Sequence, residues 1–263
     1  MSLQLADDVA LVTASSNGLG RASAEVLARE NANVVINGRD ESQLDQAVSE
    51  LSELGAGRIV GIQGDLTDEY NIKNMVETTI EEFGRLDHLV TSSGGPPSGP
   101  FLDTTDEDWY HAFDLLVMSV VRLVRESAEY LQEDGGGTIV NITSRSVKEA
   151  IDSLVLSNSV RMSVIGLEKT LSKELAPEIR TNAVLPGPHE TSRIQNLVEQ
   201  SVERGEYEDY ESGLEARGEG IPLDRIGEPK ELGEVVAFLC SPRSSYLNGV
   251  AIPIDGGAGG SNL

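Results

Sequence analysis

Short runs of β-branched residues and leucine recur along the 263-residue chain, alternating with longer segments in which apolar positions return every three or four residues. The short runs, at residues 9–13, 33–37, 58–62, 86–91, 138–143, 180–184 and 251–254, read as strands. The longer ones, at residues 19–30, 41–54, 69–83, 107–131, 155–175 and 230–239, read as amphipathic helices. Because strand and helix take turns, each strand reaches the next by a crossover helix, which predicts a parallel sheet covered on both faces. The expected fold class is α/β, a single doubly wound domain over residues 1–263 with seven parallel strands. A chain of this length buries roughly three quarters of its unfolded surface and needs no staples. Residues 191–220 break the alternation. Acidic and rich in Glu, Ser, Gly and Tyr, they are expected to be a lid over a pocket, or else a surface insertion.

Charge narrows the setting. The chain has 44 acidic residues against 20 Lys and Arg, a formal net charge of -24. Phosphate-rich partners need clustered Lys and Arg, so neither nucleic acid nor an anionic membrane is an expected partner. The excess acid suits a halophilic protein kept soluble in molar salt, where the Debye length falls to about 3 Å and like charges repel weakly; an ordinary acidic surface is the alternative. The lone Cys240 cannot form an internal disulfide, and no apolar stretch approaches the roughly 18 residues of a membrane span. The first ten residues carry acids where a signal peptide carries basic and then apolar residues, so a soluble cytoplasmic protein is expected.

Candidate chemistry begins where the first strand meets the first helix, at Thr13-Ala14-Ser15-Ser16-Asn17-Gly18-Leu19-Gly20. Gly18 and Gly20 would let the backbone approach a diphosphate, whose charge then rests on free N–H groups at the helix start. About twenty residues on, where a dinucleotide's ribose is read, the chain offers Asn37-Gly38-Arg39. A guanidinium there suits a 2′-phosphate, and the Ser15 hydroxyl could add a donor, which favours NADP over NAD. Pairing of Arg39 with neighbouring Asp40 would leave that preference open.

Taken in order, these and later motifs resemble the classical short-chain dehydrogenase/reductase family over about residues 8–257. Thr13 to Gly20 is similar to the family's Thr-Gly-x-x-x-Gly-x-Gly, with Ala14 replacing the first glycine, and alanine is expected to be tolerated there at negative φ. Gly64-Asp65-Leu66 resembles the segment whose Asp meets the adenine amine, and Thr91-Ser92-Ser93-Gly94-Gly95 stands in place of Asn-Asn-Ala-Gly. Pro186-Gly187-Pro188-His189-Glu190-Thr191 resembles Pro-Gly-x-x-x-Thr, whose Thr meets the nicotinamide amide, and Asp255-Gly256-Gly257 resembles the C-terminal signature. The resemblance implies a Rossmann-type fold, a small carbonyl or alcohol substrate, no metal, and NADP or NAD as cofactor. Its implied cofactor residues are Thr13, Ser15, Ser16, Asn17, Gly18, Leu19, Gly20, Arg39, Asp65, Leu66, Ser92, Ser93, Gly94, Arg161, Pro186, Gly187 and Thr191. It also implies a homotetramer or homodimer built through the fourth and fifth helices. The apolar face of Phe113, Leu116, Val117, Val120, Val121 and Val124 fits that role or packing on the sheet.

The family completes hydride transfer with a Tyr four residues before a Lys, an upstream Ser, and an Asn in the fourth helix. Ser144 matches the Ser, while the other three positions hold Ser157, Arg161 and Leu116, so the resemblance is to an atypical member lacking the Tyr-x-x-x-Lys pair. The expected catalytic residues are Ser144, Ser157 and Arg161. General acid catalysis is typically worth roughly 10² to 10⁴-fold, whereas orienting the reactants supplies about 7–11 kcal/mol, so losing the Tyr weakens turnover without abolishing it. An arginine, charged at any physiological pH, does not relay protons.

Other proton sources each face a plainer alternative. His189 is either a donor or a satisfied loop histidine. Lys148, beside Arg145, is either turned inward or a solvated lysine. Tyr207 and Tyr210 either close on substrate or anchor the lid by packing. Ser144, Ser157 and Asn158 could form a polar patch that holds a carbonyl oxygen or a water, or Ser157 could bond only to backbone. Lid residues Arg193, Arg204 and Arg217 could grip an anionic substrate, or act as local ion-pair partners worth about 0–1 kcal/mol. The leading expectation is an NADP-dependent reductase acting on a carbonyl or alcohol. A non-catalytic nucleotide-binding sensor, scaffold or partner subunit is the alternative, and dehydration or isomerisation on the same fold a third.

Overall fold

In the computed structural model, which describes residues 2–133 and 135–262 with the Arg193 side chain outside that description, all seven expected strands form one sheet. They are β1 (Val9–Val12), β2 (Asn33–Gly38), β3 (Ile59–Gln63), β4 (His88–Thr91), β5 (Gly137–Ile142), β6 (Ile179–Pro186) and β7 (Ala251–Ile254). Their order is β3-β2-β1-β4-β5-β6-β7, and every neighbouring pair is parallel. The central strands β1, β4 and β5 are buried along their whole length, as expected of a parallel sheet covered on both faces.

On one face of the sheet, α1 (Gly18–Arg29), α2 (Glu41–Ser52) and α9 (Pro229–Cys240) pack a core that includes Leu27, Ile36, Leu51 and Val236. On the other, α3 (Glu69–Phe83), α4 (Asp106–Phe113), α5 (Ser119–Leu131) and α6 (Val155–Glu174) enclose Ile72, Leu116, Leu123, Ile139 and Val164. Helix starts follow local chemistry. The Asp40 carboxylate accepts the Gln43 N–H at 2.9 Å to open α2, Asp68 opens α3 in the same way, and Thr105 and Asp108 cap α4 reciprocally.

One expectation changes. The helix read over 107–131 is interrupted by one wide π-helical turn at Asp114–Met118, where the Ser119 hydroxyl donates to the Leu115 carbonyl and Asp114 pairs with Arg122 at 2.8 Å. On this stretch Leu116, Val117, Val120 and Val124 pack into the sheet-side core, and Phe113 stays 45% exposed. Residues 191–220, read as a lid or a surface insertion, are built of α7 (Ser192–Glu203) and α8 (Tyr210–Gly218). Their period is hidden by composition, since among its described residues α7 buries only Val198 and Ser201. Among the described residues no helix is long and apolar enough to cross a membrane.

Strand order runs outward in opposite directions from β1 and β4, which leaves a crevice at their carboxyl ends, where a ligand meets an α/β sheet of this kind.

Candidate active site

A cavity of about 600 Å³ fills that crevice. Its middle is the turn between β1 and α1, where Ser16, Asn17, Gly18, Leu19 and Gly20 all line the space. Although the chain carries 44 acids, none stands in the first turn of α1, so the positive end of that helix faces the cavity uncompensated. A Cβ at Gly20 would lie 2.6 Å from the Ala14 carbonyl oxygen, which is why only glycine lets the helix start so close to the turn. Thr13 acts from behind: its hydroxyl donates to the Ser92 carbonyl at 2.7 Å and accepts the Ser92 N–H at 2.9 Å, tying the turn to the loop after β4.

Two expectations about this turn are corrected. Ala14 has φ of +45°, in the left-handed region that favours glycine, so the alanine is not held at negative φ and carries strain. Ser15 offers no donor to a ribose phosphate. It is fully buried, its hydroxyl donating to Val12 O at 2.6 Å and accepting the Asn37 N–H at 3.1 Å.

At one end of the cavity, Arg39, Asp65 and Leu66 line the wall with Gln43 and His111. Arg39 does not pair with Asp40, whose carboxylate is spent on capping α2; its one ion pair is with Asp65, at 3.9 Å, and its side chain is 80% exposed. Burial opposes ionisation of Asp65, but hydrogen bonds from Thr67 and the charges of Arg39 and His111 hold its carboxyl below the usual range. An exposed guanidinium beside an ionised carboxylate can read a phosphate and an exocyclic amine side by side.

At the opposite end, Ser92, Ser93, Gly94, Arg161 and Thr191 line the wall. Arg161 is nine-tenths buried, has no carboxylate partner among the described residues, and donates to the Gly94 carbonyl. Its Nε lacks any partner, and burial pulls its pKa down to about 10, so it remains a cation at neutral pH. Behind it lies a void of about 10 Å³, lined also by Leu116, Ser119 and Thr91, roughly the room one water needs. An uncompensated buried cation, an acid-free helix start and an exposed Arg39 make a donor set that fits a polyanionic dinucleotide, with Arg161 at the end where the nicotinamide ribose would lie.

The expected polar patch assembles differently. Ser144 Oγ accepts the Ser146 N–H at 3.1 Å, and Ser157 Oγ lies 3.1 Å from Ser146 Oγ, so Ser146 stands between the two expected serines. Asn158 takes no part, because both ends of its amide bond to Ile151, and Ser157 is bonded to a side chain rather than to backbone alone. Neither Ser144 nor Ser157 lines the large cavity. Pro186 and Gly187 also lie outside its lining, and Gly187 backs onto Asp255, which a Cβ there would meet at 2.6 Å.

None of the remaining candidate donors lines the large cavity, and His189 keeps a buried Nε2 without a hydrogen-bond partner among the described residues. His189 is buried against Gly227, with Nδ1 3.0 Å from the Gly187 carbonyl oxygen, and burial pushes its pKa down. Lys148 is exposed, and Arg145 pairs with Glu149 at 2.8 Å. Burial and a 2.7 Å bond to Glu190 raise the Tyr210 phenol to about 12, and Tyr207 packs on Gly213. Arg204 pairs with Glu206. Arg217 forms no ion pair among the described residues, its Nε buried without a partner.

Comparison with known proteins agrees with this geometry. A family model described as enoyl-(acyl carrier protein) reductase matches residues 13–259. The 3-oxoacyl-[acyl-carrier-protein] reductase of Thermotoga maritima is 32% identical over 256 residues, covering 97% of this chain and 99% of its own. Dehydrogenase/reductase SDR family member 4 of Caenorhabditis elegans is 32% identical over 251 residues, 95% of this chain and 94% of its own. The chain belongs to the short-chain dehydrogenase/reductase family. Among solved structures of that family, L-sorbose reductase from Gluconobacter frateurii, complexed with NADPH and L-sorbose, superposes with a TM-score of 0.93 at 30% identity, covering 98% of each chain. A short-chain oxidoreductase from Pseudomonas aeruginosa PAO1, described as containing an atypical catalytic center, superposes at 0.90 with 30% identity over 96% of this chain and 97% of its own.

Within this short-chain dehydrogenase/reductase, sequence reasoning missed Ser146, Asn37, Gln43 and His111. Ser146 carried a signal, a second serine two residues after the expected one, but His111 and Gln43 reach the cavity only through the placement of α4 and α2.

Proposed function

We propose that the protein is an NADP-dependent reductase of small carbonyl compounds, working equally as a dehydrogenase of the corresponding alcohols, with no phenolic acid at its centre. The observation that carries this reading is Arg161, a buried cation without a carboxylate partner, set at the end of the cavity opposite Arg39. NADPH would supply the hydride when bound. Arg39 would hold its 2′-phosphate, Asp65 the adenine amine, the start of α1 the diphosphate, and Thr191 the nicotinamide amide. Ser144 hydrogen-bonds the substrate oxygen, with Ser146 and Ser157 fixing its direction, and the Arg161 charge stabilises that oxygen as negative charge grows on it. Ser157 is paired with Ser146 and Tyr210 with Glu190, so the proton that completes the alcohol comes from water. This electrostatic arrangement offsets part of the roughly 10² to 10⁴-fold that a positioned acid would give.

Residues 191–220, whose first two residues line the cavity, form the substrate lid of a single-domain enzyme. Subunits assemble through the face where Phe101, Leu102, Tyr110, Phe113 and Met162 are exposed. The competing reading is a nucleotide-binding sensor or partner subunit without turnover, favoured by one observation: Ser157, at the position of the family's tyrosine, has its hydroxyl paired with Ser146. Loss of NADPH absorbance with a panel of aldehydes and ketones in molar salt separates the two. Turnover supports the reductase, and tight NADPH binding with no turnover on any of them removes it.

A further inference from the structure

Asn37, at the end of β2, has no role in the chemistry above, yet it is among the most fully bonded side chains in the molecule. It is 1% exposed. Its Oδ1 accepts the Ala14 N–H at 3.1 Å, and its Nδ2 donates to both Ile62 O and Gly64 O at 3.1 Å. Its backbone is locked as well. Asn37 N–H donates to Ser15 Oγ, and Ser15 N–H donates to Asn37 O at 2.7 Å. One amide therefore bridges the turn at the start of α1 and the residue preceding Asp65.

This bridge matters because of what it holds at Ala14. A residue at φ of +45° other than glycine returns toward negative φ unless its neighbours prevent it. Any such relaxation swings the Ala14 carbonyl, which already lies where a Cβ on Gly20 would touch it, across the first N–H groups of α1. The Ala14 N–H bond to Asn37 opposes that rotation at the peptide where it would begin.

We propose that Asn37 is a positioning residue for cofactor binding: its amide holds Ala14 in the left-handed conformation and sets the spacing between the diphosphate turn and the Asp65 segment. The role demands one acceptor and two donors in a single plane. An aspartate would oppose its second oxygen to two carbonyls, and an aliphatic side chain would strand all three backbone groups.

The inference rests on the cofactor reading, and a double-mutant cycle on the whole protein tests it, with NADPH affinity followed by fluorescence titration. Asn37→Ala is expected to raise the NADPH Kd at least tenfold. In an Ala14→Gly background, where glycine needs no restraint, the same substitution is expected to raise it less than threefold. Ala14→Gly alone is expected to lower Kd or leave it unchanged. Should Asn37→Ala fail to fold, Asn37→Ser in both backgrounds reads the same coupling. Equal fold-changes in the two backgrounds, or a fall in Tm with Kd unchanged, would overturn the proposal. Absence of NADPH binding by the wild-type protein would remove the cofactor reading and this inference together.

Discussion

Replacing Arg161 with methionine should make the unliganded protein no less stable while removing its grip on the cofactor. Burial lowers the Arg161 pKa from the ordinary guanidinium value to about 10, and at about 1.4 kcal/mol per pH unit this costs the folded state about 3 kcal/mol. Because the folded pKa is the lower one, the cost is fully present below pH 10 and is relieved only as pH rises above it. Against it stands one charge-assisted hydrogen bond to the Gly94 carbonyl, worth about 1.5–3 kcal/mol. Methionine is unbranched, adapts to irregular space and carries no charge, so Arg161→Met should change stability by about 0 to +2 kcal/mol, where an ordinary buried substitution costs about 1 kcal/mol. For a chain of this size that is a Tm rise of up to about 6 °C. Thermal unfolding in molar salt, with and without NADPH, reads both halves. The unliganded variant should melt at or above wild type, and the stabilisation by NADPH should shrink. A variant that loses more than 1 kcal/mol without ligand, or that keeps the full NADPH-induced shift, would refute the claim that Arg161 is a functional charge held at a cost to the fold.

Other consequences follow from the same geometry. Arg39→Ala should weaken NADPH binding about 10- to 100-fold while leaving NADH affinity within about twofold, as measured by titration of both, since only the 2′-phosphate loses a charged donor. Ser144→Ala should lower kcat about 10- to 10³-fold with little change in the KM for NADPH, and steady-state kinetics at saturating cofactor would show whether it does. Glu168 is nearly buried, with Oε1 lacking a partner, and burial raises its pKa to about 7 from 4.5. A raised carboxylate destabilises the fold as it ionises, so the penalty is absent below pH 4.5 and fully present above pH 7. Glu168→Gln should therefore stabilise the protein by about 1–3 kcal/mol at pH 8 and by almost nothing at pH 4.5, in denaturant unfolding at the two pH values.

The frame of this fold was legible because apolar periodicity is a property of single segments: each strand, and each helix covering the sheet, buries a face that its own residues announce. The π-helical turn at Asp114–Met118 was not, since an extra residue in one turn leaves the apolar spacing nearly intact. Helices α7 and α8 were hidden by polar composition, because they pack partly on each other and bury little. At the site, backbone-reading residues such as Gly18, Gly20 and Arg39 line the cavity as expected, being fixed by position relative to strand ends. Hydroxyls were misread for the opposite reason. Whether Ser15 faces a phosphate or Val12 O, and whether Ser157 faces Ser144 or Ser146, is decided by side-chain rotation and loop path, which spacing does not encode. The sign of φ at Ala14 is likewise set by the bonds of Asn37 twenty-three residues away.

In the function proposed above, the crevice between β1 and β4 holds a phosphorylated nicotinamide dinucleotide. Calorimetric titration of the wild-type protein in molar salt, with NADPH and NADH in parallel, tests it most directly. One site per chain is expected, with NADPH bound at least tenfold more tightly than NADH. Equal affinity for the two would contradict the part given to Arg39, and no association with either would contradict the claim itself.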